Sequence, residues 1–474
     1  MPPGTESGGP CRPPPDPASL GGSSAHDAPA ALRQGHPLSL PAALREHARR
    51  RRQLMRLIGP DAIVVVPAAP ERVRSHDTFH PYRQDSDLLY LTGFPEPEAV
   101  LVLVPGRAAG ECILFCRERD PERERWDGPR AGLEGAVDRY GMDDAYPVGD
   151  IDDILPGLIE GRARIHYHLG RDPEFDQRLL GWVNRVRAQS RRGAVPPNEM
   201  ATLGTLLHEL RLVKSRAELK LMREAARITV AAHRRAWQAS RPGRREYQVE
   251  AELQAAFRGN DAVAAYLPIV GAGANACVLH HPAGDAELRR GELVLVDAGA
   301  EYRGYAADVT RTVPVGGRFN RAQRSLYDLV LDAQRAAIDE ARPGRPFDAM
   351  HQAAVRVLTD GLVRLGLVEG PLASALRERR HLPFYPHKTG HWLGLDVHDV
   401  GDYRIDGHWR ELEPGMVCTV EPGLYIAADA PVDPKWRGIG IRIEDDVHVT
   451  ADGPEVLSAA LPVEAAEIEA ELAG

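Results

Sequence analysis

Residues 291–313 read Gly291-Glu292-Leu293-Val294-Leu295-Val296-Asp297-Ala298-Gly299-Ala300-Glu301-Tyr302-Arg303-Gly304-Tyr305-Ala306-Ala307-Asp308-Val309-Thr310-Arg311-Thr312-Val313. The apolar run from Leu293 to Val296 predicts a buried strand, and it ends in an acid. Glu301 to Gly304 supplies a turn, after which Tyr305 to Val313 runs back with a second acid. With Tyr302 and Arg303 as the two loop residues, Asp297 faces Asp308 directly. Directly opposed side chains stand about 4.5–5.5 Å apart at Cβ, and like charges there destabilise the pair. Either one acid is protonated or a cation lies between them. Two unrelated turn acids is the plainer alternative.

Working outward, Met416-Val417-Cys418-Thr419-Val420-Glu421 and Ile439-Gly440-Ile441-Arg442-Ile443-Glu444 predict two more strands, each with a late acid. Pro422-Gly423 turns the chain abruptly after Glu421, which suits a ligand at a strand end. Arg442 precedes Glu444 by two residues on the same strand face, so an ordinary Arg–Glu ion pair accounts for that segment equally well. His391 lies between Thr389-Gly390 and Trp392-Leu393-Gly394, in a turn entering an apolar segment. Asp297, Asp308, His391, Glu421 and Glu444 thus spread over 148 positions. Four carboxylates and an imidazole are costly to bury unless something positive sits among them. Two divalent cations balance four negative charges, so a dinuclear metal site is the central expectation.

His387 precedes His391 by four residues, His398 follows it by seven, and His280 lies upstream. The chain has 18 histidines, and any single one is more often structural or exposed than catalytic. Pro386, Gly390 and Gly394 make a helical zinc pair improbable, and there is no His-Glu-x-x-His motif. Gly271-Ala272-Gly273-Ala274-Asn275-Ala276 matches a dinucleotide fingerprint only formally, because Leu279-His280-His281-Pro282 follows where a helix should begin.

At 474 residues the chain is too long for one ordinary core, and two domains plus a tail are expected. Hydrophobic content of 43% and charge of 27% describe a soluble globular protein. No run approaches the roughly eighteen apolar residues of a membrane span. A net charge of −9 disfavours nucleic acid as a partner. Arg outnumbers Lys 55 to 4, so the basic run 49–52 reads as a solvated helix face. Cys11, Cys112, Cys116, Cys277 and Cys418 are few and mostly within apolar runs, as expected of reduced thiols in a cytoplasmic protein. Residues 1–40 carry Pro, Gly and Ser clusters without a basic start and apolar run, which predicts a disordered leader.

Residues 41–205 read as a smaller α/β domain: a basic helix over 44–57, a strand over 62–67, short apolar runs at 88–92, 99–104 and 112–115, and helical spacing at 151–155 and 179–186. The first of those last two stops at Pro156-Gly157. A boundary follows Val195-Pro196-Pro197, with 207–213 as the connection. Residues 206–474 open with helices over 216–239 and 246–260, then strands over 264–270, 293–297 and 306–313. Helices over 323–341 and 347–365 follow, and then strands over 416–421 and 439–449. Strands grouped before and after helices predict an α+β class with an antiparallel sheet.

The ordered set Asp297, Asp308, His391, Glu421 and Glu444 resembles the metalloaminopeptidases of the pita-bread fold. Leu295-Val296-Asp297-Ala298-Gly299, Asp308-Val309-Thr310-Arg311-Thr312, the eleven residues from His391 to Gly401, Val420-Glu421-Pro422-Gly423 and Gly440-Ile441-Arg442-Ile443-Glu444-Asp445 are similar to bacterial aminopeptidase P. Pro81-Tyr82-Arg83-Gln84 and the nine residues from Leu91 to Ala99 extend the resemblance into the N-terminal part. It implies a catalytic domain with a curved antiparallel sheet, preceded by a smaller α/β domain.

The resemblance also implies hydrolysis of the bond between an N-terminal residue and a penultimate proline. Asp308 and Glu444 would bridge two metals, Asp297 would chelate one, and His391 and Glu421 would complete the other. Oxygen-rich ligands suit Mn²⁺, although Co²⁺, Zn²⁺ or Fe²⁺ are accepted by similar sites. The ions would activate a bridging water and polarise the scissile carbonyl, with Glu421 as general base and proton shuttle. His280, His387 and His398 would line the pocket, Arg442 would orient the carboxylates, and Tyr425 matches a tyrosine near the site. Trp126 matches a tryptophan that reaches a neighbouring subunit's active site, which implies a homotetramer or homodimer. Lys388 departs from the pattern, standing where the family usually has a small residue, and the Pro-rich leader has no clear counterpart. A prolidase shares the fold and all five ligands, whereas non-catalytic pita-bread proteins normally lack the full set.

Overall fold

The structure, a computed structural model, describes residues 40–473. The expected leader and Cys11 lie outside the described residues. Helix Leu40–Ile58 leads into strand Ala62–Pro67, the centre of a six-stranded sheet. The order across that sheet is Asp144–Pro147, Cys112–Cys116, Val100–Leu103, Ala62–Pro67, Arg164–Tyr167 and Glu199–Thr202. Ala62–Pro67 runs antiparallel to Val100–Leu103 and parallel to Arg164–Tyr167. Alternation sends Ile63 and Val65 to one apolar cluster, with Leu179 and Trp182, and Val64 and Val66 to the main core.

Several local expectations change. The apolar run 88–92 belongs to a helix, Ser86–Thr92. Its residues are almost all buried, so apolar periodicity does not discriminate there, while Asp85 caps Asp87 and Leu88 and Gly93 closes the helix at φ 67°. Helix Ile151–Ile159 continues through Pro156. Proline removes the N–H that would bond the Asp152 carbonyl, and the Arg185 guanidinium donates to that carbonyl instead. Residues 207–213 are mostly helix, Gly204–Leu212. The basic run is only half a solvated face: Arg49 and Arg52 are exposed, whereas Arg50 and Arg51 are buried and donate to the carbonyls of Tyr90 and Leu91 at 2.9 Å each. Arg50 also meets Glu218 at 3.3 Å.

In the second half, helices Arg216–Ala239, Glu246–Gly259, Arg321–Glu340 and Asp348–Arg364 cover short antiparallel ladders. Ser215 and Glu218 form a reciprocal cap on the first, as do Asn320 and Gln323 on the third. The ladders are Ile269–Ala272 with Leu293–Asp297 and Thr310–Pro314; Val417–Val420 with Asp445–Thr450 and Gly453–Val456; and Gly423–Ile426 with Ile439–Arg442. Gly273–Cys277 is a short 3₁₀ turn, unlike the helix a dinucleotide loop requires. Among the described residues Cys112, Cys116, Cys277 and Cys418 are free thiols, and no helix is long and apolar enough to cross a membrane.

Candidate active site

The four acids all sit where a ladder breaks. Asp297 ends its strand, and Asp308 lies between Tyr305–Ala306 and Thr310–Pro314. Glu421 separates Val417–Val420 from Gly423–Ile426, and Glu444 separates Ile439–Arg442 from Asp445–Thr450. A break frees the side chain from the strict up-down alternation of a continuous strand.

The hairpin register differs from the expected one. Tyr302 pairs with Tyr305, so the loop is Arg303-Gly304, with φ 53° and 86°. Positive φ at both central residues is the turn whose twist matches the flanking strands, and Gly304 adopts it without strain. Thr310 therefore lies opposite Asp297, and Asp308 is its diagonal neighbour. A two-residue shift keeps both acids on one face, so they still meet. The strands close in at Gly299, where an added Cβ would lie 1.6 Å from the Ala307 carbonyl oxygen.

The five expected ligands converge. Ligand atoms of Asp308, His391 and Glu444 lie within 4.8 Å of one another. His391 Nε2 stands 3.4 Å from Asp308 and 3.9 Å from Glu421. Its Nδ1 donates to the Trp392 carbonyl at 2.9 Å, which fixes the ring and turns the Nε2 lone pair inward. The backbone N–H of Glu421 donates to Thr389 at 2.7 Å, and that of Glu444 to Thr310 at 3.0 Å.

Burial pushes the Glu421 carboxyl up to about 7, although His391 and Arg442 oppose the shift. Burial and the neighbouring acids lift Glu444 well above the usual carboxylate range, and burial also raises Asp297. His391 goes the other way: burial disfavours its charge, but Asp308 and Glu421 outweigh it and raise the imidazole to about 9. Acids crowded this closely repel one another, and positive charge between them is what relieves the repulsion. Carboxylate oxygens with one inward imidazole nitrogen fit a pair of divalent cations.

Arg442 joins several of these groups. It pairs with Asp297, donates from Nη1 to Tyr425 Oη at 2.9 Å, and from Nε to Thr310 Oγ1 at 3.1 Å. The alternative Arg442–Glu444 ion pair does not form among the described residues. The strand ends at Arg442, so the same-face argument stops there, and the guanidinium reaches Glu444 only through the Thr310 hydroxyl, 2.6 Å from it. His387 Nδ1 bonds the Lys388 carbonyl at 2.7 Å, which leaves Nε2 to accept from Tyr425 at 2.9 Å. Burial and Arg442 depress the His387 imidazole to about 4. His398 is exposed and meets the His391 ring edge-on, with centroids 4.4 Å apart. His280 is exposed in a turn, close enough for its charge to act on both His387 and His398.

Three contributors went unnoticed in the sequence. The Tyr266 hydroxyl bonds both Asp297 and Asp308. Thr310 links Arg442 to Glu444, and Asp446 accepts from the Asp308 N–H at 3.1 Å. The two-residue spacings Asp308 to Thr310 and Glu444 to Asp446 were a readable signal, whereas Tyr266 lies in irregular chain with none.

Residues 220–451 match the model of metallopeptidase family M24, and residues 47–167 match the aminopeptidase P N-terminal domain. The chain is 43% identical over 427 residues to the Xaa-Pro aminopeptidase of Escherichia coli (strain K12), covering 90% of this chain and 97% of that one. The Pseudomonas aeruginosa aminopeptidase PepP superposes with a TM-score of 0.90 at 56% identity, over 91% of this chain and 98% of that one. Aminopeptidase P from E. coli with the inhibitor Pro-Leu gives 0.88 at 42% identity, over 91% and 98%. This chain belongs to the aminopeptidase P group of metallopeptidase family M24.

Proposed function

We propose that this protein removes an N-terminal residue that precedes proline, at a site holding two divalent cations. The observation that carries the reading is the convergence of Asp297, Asp308, His391, Glu421 and Glu444 on one centre in a chain of this family. Asp297, Asp308, His391, Glu421 and Glu444 would hold the ions. Mn²⁺ suits so many oxygen ligands, with Co²⁺, Zn²⁺ and Fe²⁺ as alternatives. When bound, the ions supply a water of lowered pKa and polarise the scissile carbonyl.

Glu421 turns one oxygen toward His391 and the other to within 3.7 Å of His387 Nδ1. That placement suits it to take a proton and deliver it to the leaving nitrogen. The donors run in one direction, from Arg442 to Tyr425 to His387 to the Lys388 carbonyl, and they hold the His387 ring in one orientation. His280 and His398 stand at the rim, where they steady the peptide and its developing oxyanion. The Pro-Leu complex of the E. coli relative supports a proline-containing substrate.

Trp126 is 86% exposed in helix Glu124–Asp127, and large aromatic side chains are enriched where subunits meet. We infer that it packs on a second copy of the chain, in a homotetramer or homodimer, which light scattering of the intact protein checks. The deciding experiment for the reaction is Mn²⁺-dependent cleavage of an Xaa-Pro-Xaa tripeptide beside an Xaa-Pro dipeptide, with released residues identified. Preferred cleavage of the tripeptide before proline is expected. A clear dipeptide preference would make the protein a prolidase, and inactivity with metal bound would refute both readings.

A further inference from the structure

A groove of about 930 Å³ lies between helix Asp348–Arg364 and residues 379–388. Lys388, Asp348, His351 and Trp409 are shared with a smaller pocket of about 270 Å³ that reaches Thr389 and Gly390. His387 lines the groove, and the same ring accepts from Tyr425 and approaches Glu421. The groove therefore abuts the catalytic cluster.

Its wall is cationic in a chain whose net charge is −9. Arg345 is neutralised by Glu340, and Lys388 stands 3.7 Å from Asp348. The Arg356 and Arg379 side chains are exposed and have no hydrogen bond or ion pair among the described residues. Arg379 also has φ 51°, a left-handed conformation that non-glycine residues seldom adopt without a local reason. His381, which also lines the groove, is only 5% exposed.

We propose that this groove is a subsite for a carboxylate carried by the peptide downstream of proline, and the proposal rests on the aminopeptidase reading above. An enzyme that removes one residue must house the rest of the peptide beyond the leaving nitrogen, and the groove is a large cavity continuous with His387. Guanidinium groups match carboxylates in geometry and charge, and Arg356 and Arg379 are the two on this wall whose charge no acid balances. The carboxylate comes either from an acidic side chain or from the C-terminus of a short peptide.

The test compares kcat/KM for Ala-Pro-Ala-Ala-Ala-amide, its analogues with Glu at the third, fourth or fifth position, and the same neutral peptide with a free C-terminus. Wild type and the double variant Arg356→Gln, Arg379→Gln are measured at low and high salt. Both arginines are exposed, so folding is not at stake. The acidic peptides should be favoured by about 2–10-fold, through KM, and the preference should fall toward one in the double variant and in high salt. Preference for the Glu analogues identifies the side-chain source, and preference for the free C-terminus alone identifies the other. Equal rates for all peptides in wild type would overturn the subsite while leaving the aminopeptidase reading intact. So would a preference that survives in the double variant. Failure to cleave the neutral peptide at all would overturn both.

Discussion

The guanidinium of Arg442 is paired with Asp297, not with Glu444 two residues along its own chain. Its three nitrogens address three different groups, namely Asp297, Tyr425 and Thr310, and Thr310 passes the contact on to Glu444. Acids from two separate ladders are thus held in register by one side chain. Arg442→Lys keeps the charge but loses the planar fork. Metal affinity and kcat/KM should each fall by about 10–100-fold, the usual effect of disturbing groups that orient metal ligands. Mn²⁺ titration beside initial rates measures both, and wild-type affinity in the lysine variant would remove Arg442 from this role.

Glu421→Ala should largely abolish turnover while the protein remains folded. Losing a positioned acid–base group alone removes about 10²–10⁴ in rate, and a metal ligand goes with it. The side chain is only partly buried at a strand break, so little packing is lost. Circular dichroism and melting temperature should stay near wild type. Near-normal cleavage in this variant would exclude Glu421 from the mechanism.

Gly299→Ala tests the geometry that brings Asp297 and Asp308 together. The new methyl would lie 1.6 Å from the Ala307 carbonyl oxygen, a backbone atom that cannot swing aside. The strands must part exactly where the hairpin leaves its ladder, at a cost of about 1–3 kcal/mol or more. Stability by denaturant titration and Mn²⁺ affinity should drop together. A variant with wild-type values for both would show that the close approach is dispensable.

Strand Leu293–Asp297 was legible because burial on both faces writes a continuous apolar run, and its boundaries agree with the expectation. The register of its hairpin was not legible. Tyr302-Arg303 and Arg303-Gly304 are both plausible two-residue loops, and only the positive φ at both positions of the latter decides between them. Because the slip is two residues, the meeting of Asp297 with Asp308 survived the wrong register; a slip of one would have put them on opposite faces. Arg442 defeated the same-face argument because its strand stops there. Arg50 and Arg51 read as solvent-facing because charge alone does not reveal the backbone carbonyls that receive them. Tyr266 touches two acids from a stretch without periodicity, and a single chain holds no local mark that sets one tyrosine apart from twelve others.

Burial lifts the Glu421 carboxyl to about 7, and Glu444 and Asp297 move in the same direction. An acid with a raised folded-state value binds its proton more tightly folded than unfolded. Between its ordinary 4.5 and about 7, the folded protein therefore holds more protons than the unfolded chain. The contribution of Glu421 to the stability of the metal-free protein then falls as pH rises through that window. His387, His47, His233 and His351, each held at about 4, act in the opposite sense up to their ordinary 6.5. Asp87 also opposes Glu421: despite its burial, His168 and Arg211 hold its carboxyl below the usual range, and that contribution is lost only below about pH 4. The Glu421 and Asp87 effects occupy different pH ranges and do not cancel. Divalent cations bind the ionised carboxylates, so they should add most stability at the high end of the window. The gap in melting temperature between protein loaded with about two Mn²⁺ per chain and chelator-treated protein should therefore widen by a few degrees between pH 5 and 7.5. Scanning calorimetry of both forms, with metal content measured, checks this. Parallel pH profiles with and without Mn²⁺ would mean that cations do not relieve the repulsion among these acids.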